Sequence, residues 1–357
     1  MTRLLALAAL TLAACASTPR PPGETGREAD EGGRVTLTDQ ASGTDARLIG
    51  SHAVDADVVW LSGTDGTVVR TIDGGATWTA STVPGADTLQ LRDVEALDAR
   101  TAWALSIGTG AASRIFKTTD GGASWRTVFV NREAEGFFDC LTFWDARQGL
   151  AFSDSIEDGL LVVATADGGE TWARVPPRAL PAATDGEGGF AASGTCVTAR
   201  PPGLAWIATG NATPARVLRT ADRGVTWTAA AVPVVSGPAA GLTSVVFRTD
   251  RVGVALGGDI SRPDSLADTV ARTEDGGVTW ARGGRLPFGA GYGAAYVPGT
   301  DALVAVGPGG AALSRDDGRT WSLLDDREFW GVTAASREAV WLVGPEGRVV
   351  RLRLGAQ

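Results

Sequence analysis

The apolar residues of this chain fall in short runs of strand length, divided by turns rich in Gly, Asp, Ser and Thr. Runs such as Val59-Trp60-Leu61 and Ala102-Trp103-Ala104-Leu105 are too short for helices and read as buried strands. One unit shows the order: an inner strand at residues 93–97, a second centred on Trp103, a third at 114–118, a tight turn, and a fourth at 125–130. Second-strand centres recur at Trp60, Trp103, Leu150, Trp206, Val254, Val304 and Trp341, which predicts seven such units.

The turn between the third and fourth strands has its own signature, Ser/Thr-x-Asp-x-Gly-x-Ser/Thr-Trp, repeated six times. Its Asp and Trp positions are Asp73 and Trp78, Asp120 and Trp125, Asp167 and Trp172, Asp222 and Trp227, Asp275 and Trp280, and Asp316 and Trp321. Intervals of 47, 47, 55, 53 and 41 residues between the Asp positions match a repeated four-stranded unit. Asp holds the following amides, Gly supplies a positive φ, and Trp buries an indole as the next strand begins.

These residues resemble the Asp-box, or bacterial neuraminidase repeat, a structural clip found on enzymatic and non-enzymatic propellers. The resemblance implies an all-β chain forming a single seven-bladed β-propeller with four-stranded blades. The seventh unit ends after its third strand, near Leu352, so a short strand at 34–38 is expected to close the last blade and remove an open edge.

Residues 1–14 read as a lipoprotein signal peptide: Arg3, an apolar stretch from Leu4 to Leu12, then Leu12-Ala13-Ala14-Cys15. Cys15 would be the lipidated first residue, residues 15–33 a tether rich in Pro and Gly, and 34–357 the propeller. The expected location is therefore exported, lipid-anchored to a bacterial membrane, in the periplasm or on the cell surface. Net charge is −9, and Lys117 is the single lysine among 32 basic residues. That balance argues against nucleic acid as a partner.

The clip turns share a face with the loops joining strands one and two. Long segments at 131–138, 175–193 and 259–269 fall on the opposite, insertion face, a common place for binding in repeat folds. Candidate binding residues are Phe137, Phe138, Asp139, Trp144, Asp154, Arg178, Glu187, Phe190, Asp259 and Arg262; any one of them alone also suits loop capping or blade packing. The Gly-rich run at 186–195 is unlike anything in the other units, and it lacks the Lys-Ser/Thr ending of a phosphate loop. Cys140 and Cys196 occupy equivalent inner-strand positions of adjacent blades, where a disulfide and two buried thiols both fit.

His52 is the only histidine, which removes His-based triads and His metal clusters; neither a metal nor a cofactor is expected. Sialidases carry an Arg-Ile-Pro motif that is absent here, and only Tyr292 and Tyr296 are available as tyrosine nucleophiles. A two-carboxylate glycoside hydrolase would need a pair from Asp139, Asp154, Glu187 and Asp259 to converge. In length and clip sequence, residues 34–354 are similar to the photosystem II stability and assembly factor family of exported bacterial proteins. The resemblance implies a non-catalytic scaffold that binds a protein partner or helps assemble an envelope or membrane complex; carbohydrate binding or hydrolysis is the alternative.

Overall fold

A computed structural model describes residues 35–355. The signal segment, Cys15 and the tether lie outside the described residues. Seven antiparallel four-stranded sheets form a seven-bladed β-propeller. In blade 1 the strands are Leu48–Ala53, Val59–Gly63, Thr67–Thr71 and Thr79–Thr82. Blade 2 repeats the order with Leu91–Ala96, Ala102–Ser106, Arg114–Thr118 and Arg126–Val130. Among the described residues no helix is long and apolar enough to cross a membrane.

The last blade is built from Gly331–Ser336, Ala339–Val343 and Arg348–Leu354, and its fourth strand is Val35–Ala41. Pairing runs in unbroken register from Val35 opposite Leu354 to Ala41 opposite Arg348. Val35 and Leu37 are buried against blades 6 and 7, so alternate residues of the closing strand enter the core.

Each clip has the same bonding. In blade 1, Thr71 Oγ1 donates to Asp73 Oδ1 at 2.7 Å and accepts from the Gly75 amide at 2.9 Å. Asp73 then accepts from the Thr77 amide at 2.9 Å and the Thr77 hydroxyl at 2.6 Å. Those Thr77 bonds, with the Thr71 hydroxyl, lower the Asp73 pKa to about 2. The sequence needs glycine at the second turn position because φ there is +83° at Gly75, +75° at Gly169 and +85° at Gly277.

Clips also join blades. A cation on the third strand, immediately before the clip's first hydroxyl in blades 2 and 4 and on the third strand of clipless blade 7, reaches the next blade: Lys117 Nζ donates to the Gly168 carbonyl at 2.7 Å, Arg219 Nε to Gly276 at 2.9 Å, and Arg351 Nη1 to Gly74 at 2.7 Å. The second-strand indole of the donating blade takes the same carbonyl where it can: Trp103 bonds Gly168 at 3.2 Å and Trp206 bonds Gly276 at 2.8 Å. A Cβ on Gly169 would sit 2.5 Å from Trp103 Nε1, so glycine is also required for this approach.

Deleting residues 35–41 is expected to forfeit about 3 to 6 kcal/mol from Val35 and Leu37 burial alone. It would also expose an unpaired strand at 348–354. Thermal unfolding and sedimentation should show a lower midpoint and self-association; an unchanged monomer would contradict the closure.

Candidate functional site

Residues 187–195, between blades 3 and 4, cross the mouth of the central channel and plug it. The Gly188 amide donates to Gly210 at 3.1 Å in blade 4. Gly189 donates to Asp154 Oδ1 at 2.8 Å in blade 3, and the Ala191 carbonyl accepts from Arg92 Nη1 at 2.9 Å in blade 2. Ser193 Oγ donates to the Tyr292 carbonyl at 2.8 Å at the start of blade 6, and Thr195 Oγ1 to Ser244 Oγ at 2.7 Å in blade 5. Ala192 packs beside Tyr292, with Trp330 at the threshold of blade 7. Gly188 and Gly189 let the backbone lie on two carboxylates: a Cβ on either would fall within 2.0 Å of Asp154 Oδ1 or 2.6 Å of Asp139 Oδ2.

Cys140 and Cys196 form a disulfide, with Cα atoms 6.0 Å apart. It joins the inner strands of blades 3 and 4 where the plug re-enters the ring, resolving the two options left by their placement.

Above the plug lies a cavity of about 360 Å³ whose walls come from six of the seven blades. Ile107, Phe137, Phe190 and Ile260 supply apolar surface, with Tyr292 and Trp330 opposite blade 3. Tyr292 and Trp330 meet edge to face at 5.0 Å. Arg92 and Arg47 each lie over the Trp330 ring, 4.9 and 5.0 Å from its centroid. Hollows of about 480 and 410 Å³ also occur, one beside the closing strand and one between the outer strands of blades 2 and 3. Neither gathers residues around the axis, so the axial cavity is the better candidate site.

The acidic wall belongs to blade 3. Burial, then the nearby Asp154 charge, pushes the Asp139 carboxyl well above the usual range, against the Ala191 amide and Arg92. Burial raises Asp154 to about 6, while the Gly189 amide opposes the shift. On the basic wall, burial and the neighbouring Arg47 charge lower Arg92 to about 10. Burial and the Glu328 charge raise Tyr292, the wrong direction for a tyrosine nucleophile.

Of the sequence candidates, Asp139, Asp154, Phe190 and Phe137 line this cavity. Glu187 does not present a free carboxylate: it is buried and held by Arg216, Thr209 and Thr184, anchoring the plug. Asp259 is closed by Ser261 and by Arg262 at 2.7 Å, which leaves its carboxylate engaged. Phe138 is core, edge to face with Phe129 at 5.2 Å. Trp144, expected on the insertion face, follows the inner strand Phe138–Phe143 and therefore lies on the clip face, where its indole donates to Leu204 at 2.7 Å. Arg178 is exposed on the short turn Pro177–Ala179, beside the blade 4 clip: the Trp227 amide donates to Ala179. Only two of the four proposed acidic residues therefore converge, and Arg92, Tyr292 and Trp330 complete a site that no single segment announces.

No family model and no curated protein matches the chain. Solved structures do match over nearly its whole length. YCF48 bound to D1 peptide is 16% identical with a TM-score of 0.62, covering 93% of this chain and 99% of that one. YCF48 from Cyanidioschyzon merolae is also 16% identical, with a TM-score of 0.62 and coverages of 89% and 98%. The WD40 β-propeller domain of Doa1 is 14% identical, with a TM-score of 0.59 and coverages of 88% and 97%. At these identities the likeness is one of fold, and it agrees with the seven-bladed ring.

Asp154→Asn keeps an acceptor for the Gly189 amide and removes a charge that burial disfavours. Because the folded pKa is raised to about 6, the native carboxyl contributes stability below about pH 4 and loses it as pH rises through 6. The variant should be more stable than the parent by about 3 kcal/mol at pH 7.5, with little difference at pH 4. Urea unfolding at both pH values checks this; a destabilised variant at pH 7.5 would contradict it.

Proposed function

We propose that the chain is a non-catalytic, exported propeller scaffold, anchored to a bacterial membrane through lipidated Cys15, that binds a protein partner and assists assembly of an envelope complex. The observation that carries the binding reading is the plugged axis, which turns a channel into a shallow cup walled by aromatic and aliphatic side chains from six blades. A concave site with an apolar body and a few polar groups suits an inserted peptide segment. YCF48, a photosystem II assembly factor, is similar in fold, and one of its structures contains a D1 peptide. That likeness supports a scaffold for protein binding and leaves the client to be found by experiment. The signal segment and Cys15 support export and anchoring.

A carbohydrate ligand is the second reading, favoured by the convergence of Asp139 and Asp154 beside Tyr292 and Trp330. Catalysis would require a competent pair, and Glu187 and Asp259 are committed to arginines.

A photo-crosslinking residue at Ile260, on the cup rim, should yield a discrete protein adduct in the native envelope. The same residue at Val225, exposed on a clip, should not. Equal adducts at both positions, or adducts only at Val225, would overturn the assignment of the face. Turnover of a glycoside panel, lost in Asp154→Asn, would replace it with the second reading.

A further inference from the structure

The two walls of the cup differ in what they leave open. On the basic side, Arg92 is spent: it donates to the plug at Ala191, to Gln90 Oε1 at 2.7 Å through Nη2, and lies over Trp330. On the acidic side, Asp139 is buried and its Oδ2 has no hydrogen-bond partner. Asp154 accepts one bond, from Gly189, and among the described residues neither acid has a basic partner at ion-pair distance. Asp154 thus keeps a second carboxylate oxygen on the cavity lining with no donor among the described residues, which a ligand can satisfy.

We infer that the acidic wall of the axial cup receives a basic side chain, lysine or arginine, presented by the protein partner. This rests on the protein-binding reading above and names the chemistry that the partner must offer. Asp154 would take the cation at the cup surface. Asp139, buried behind it and held toward its neutral form, adds no competing charge. Phe137 and Phe190 would pack on the aliphatic stem, since long basic side chains bury their methylenes while keeping the charged end with a polar partner. The lining fits this division: apolar side chains form most of the cup, and the acids stand together on blade 3.

Binding should depend on pH through Asp154. The groups around it are Asp139 on the neighbouring strand, Arg92 across the cup, the Glu187–Arg216 pair at the plug's start, and Asp259 with Arg262 on blade 5. Both of those pairs are internally neutralised. A cation favours the ionised form of Asp154, so its arrival releases a proton where that group is partly protonated.

The test uses the mature protein and four blocked tripeptides, acetyl-Gly-X-Gly-amide with X as lysine, arginine, norleucine or glutamate, and methylammonium as a fifth probe. Titrations are followed by the amide NMR shifts of Gly189 and Asn211. The lysine or arginine peptide should bind at least tenfold more tightly than norleucine or glutamate at pH 7.5, and more tightly than methylammonium, which lacks the stem. Affinity should fall about tenfold at pH 5, following the ionised fraction of a group with a pKa of about 6. It should also fall at pH 7.5 in Asp154→Asn, whose fold is checked from its unperturbed remote amides. Preference for norleucine or glutamate, equal binding of methylammonium, retention in Asp154→Asn, or no shift with any probe would overturn the inference. The crosslinking result at Ile260 is independent of these outcomes, so the broader protein-binding reading can stand or fall by itself.

Discussion

The ring depends on carbonyls held at the clip tips and gripped, at four of the seven junctions, by a cation of the blade before. Asp120, Asp167 and their counterparts accept amide and hydroxyl bonds that fix the turn. The fixed turn presents a peptide carbonyl that meets a cation and, in two blades, an indole. Lys117 and Trp103 converge on Gly168, and Arg219 and Trp206 converge on Gly276. A charged donor on a carbonyl that is otherwise shielded is worth more than an exposed ion pair, because leaving either group unpaired costs its desolvation.

Three junctions lack that grip and are joined differently. Between blades 1 and 2, Arg70 and Trp60 donate instead to Ala99 and Asp98, in the loop that joins the first two strands of blade 2. Blade 3 carries Ala164 where other blades carry the cation and Leu150 where several carry Trp. Its junction with blade 4 instead has the Trp144 bond to Leu204, the Arg223 contacts to Asp145 and Gln148, and the Cys140–Cys196 disulfide. Blade 6 has Leu313 before its clip, and blade 7 has no clip. There an apolar cluster including Phe329, Leu342 and Leu352, together with the closing strand, supplies the contact. The departure at blade 3 coincides with the plug, so the least regular junction is also the one that builds the candidate site.

Much of this architecture was legible in the sequence. Six clips, seven second-strand centres and a final unit one strand short lead to the blade count and to the closure by Val35–Ala41. The cations before the clips were equally visible, at Arg70, Lys117, Arg219 and Arg272, although their inter-blade role follows only from coordinates. Trp144 shows a placement that was open to correction from spacing alone: it ends an inner strand and so belongs with the clip-side loops. The cup was only half legible. Its unusual Gly-rich segment pointed to the region and to Asp139, Asp154 and Phe190. Arg92, Tyr292 and Trp330, however, sit in or just before ordinary-looking inner strands of three different blades. Ring closure alone brings them together. Nor does spacing reveal that Glu187 and Asp259 are neutralised by Arg216 and Arg262, since one partner lies on another strand and the other within the same loop.

A double-mutant cycle tests the clip grip most directly, pairing Lys117→Met in blade 2 with Thr165→Val, which removes the hydroxyl that holds the blade 3 clip to the Gly169 amide. If the fixed clip and the cation act as one unit, urea unfolding should give a coupling energy of at least about 1 kcal/mol, with the double variant losing less than the sum of the single losses. Losses that add to within about 0.3 kcal/mol would show that clip and cation act independently, contrary to this account.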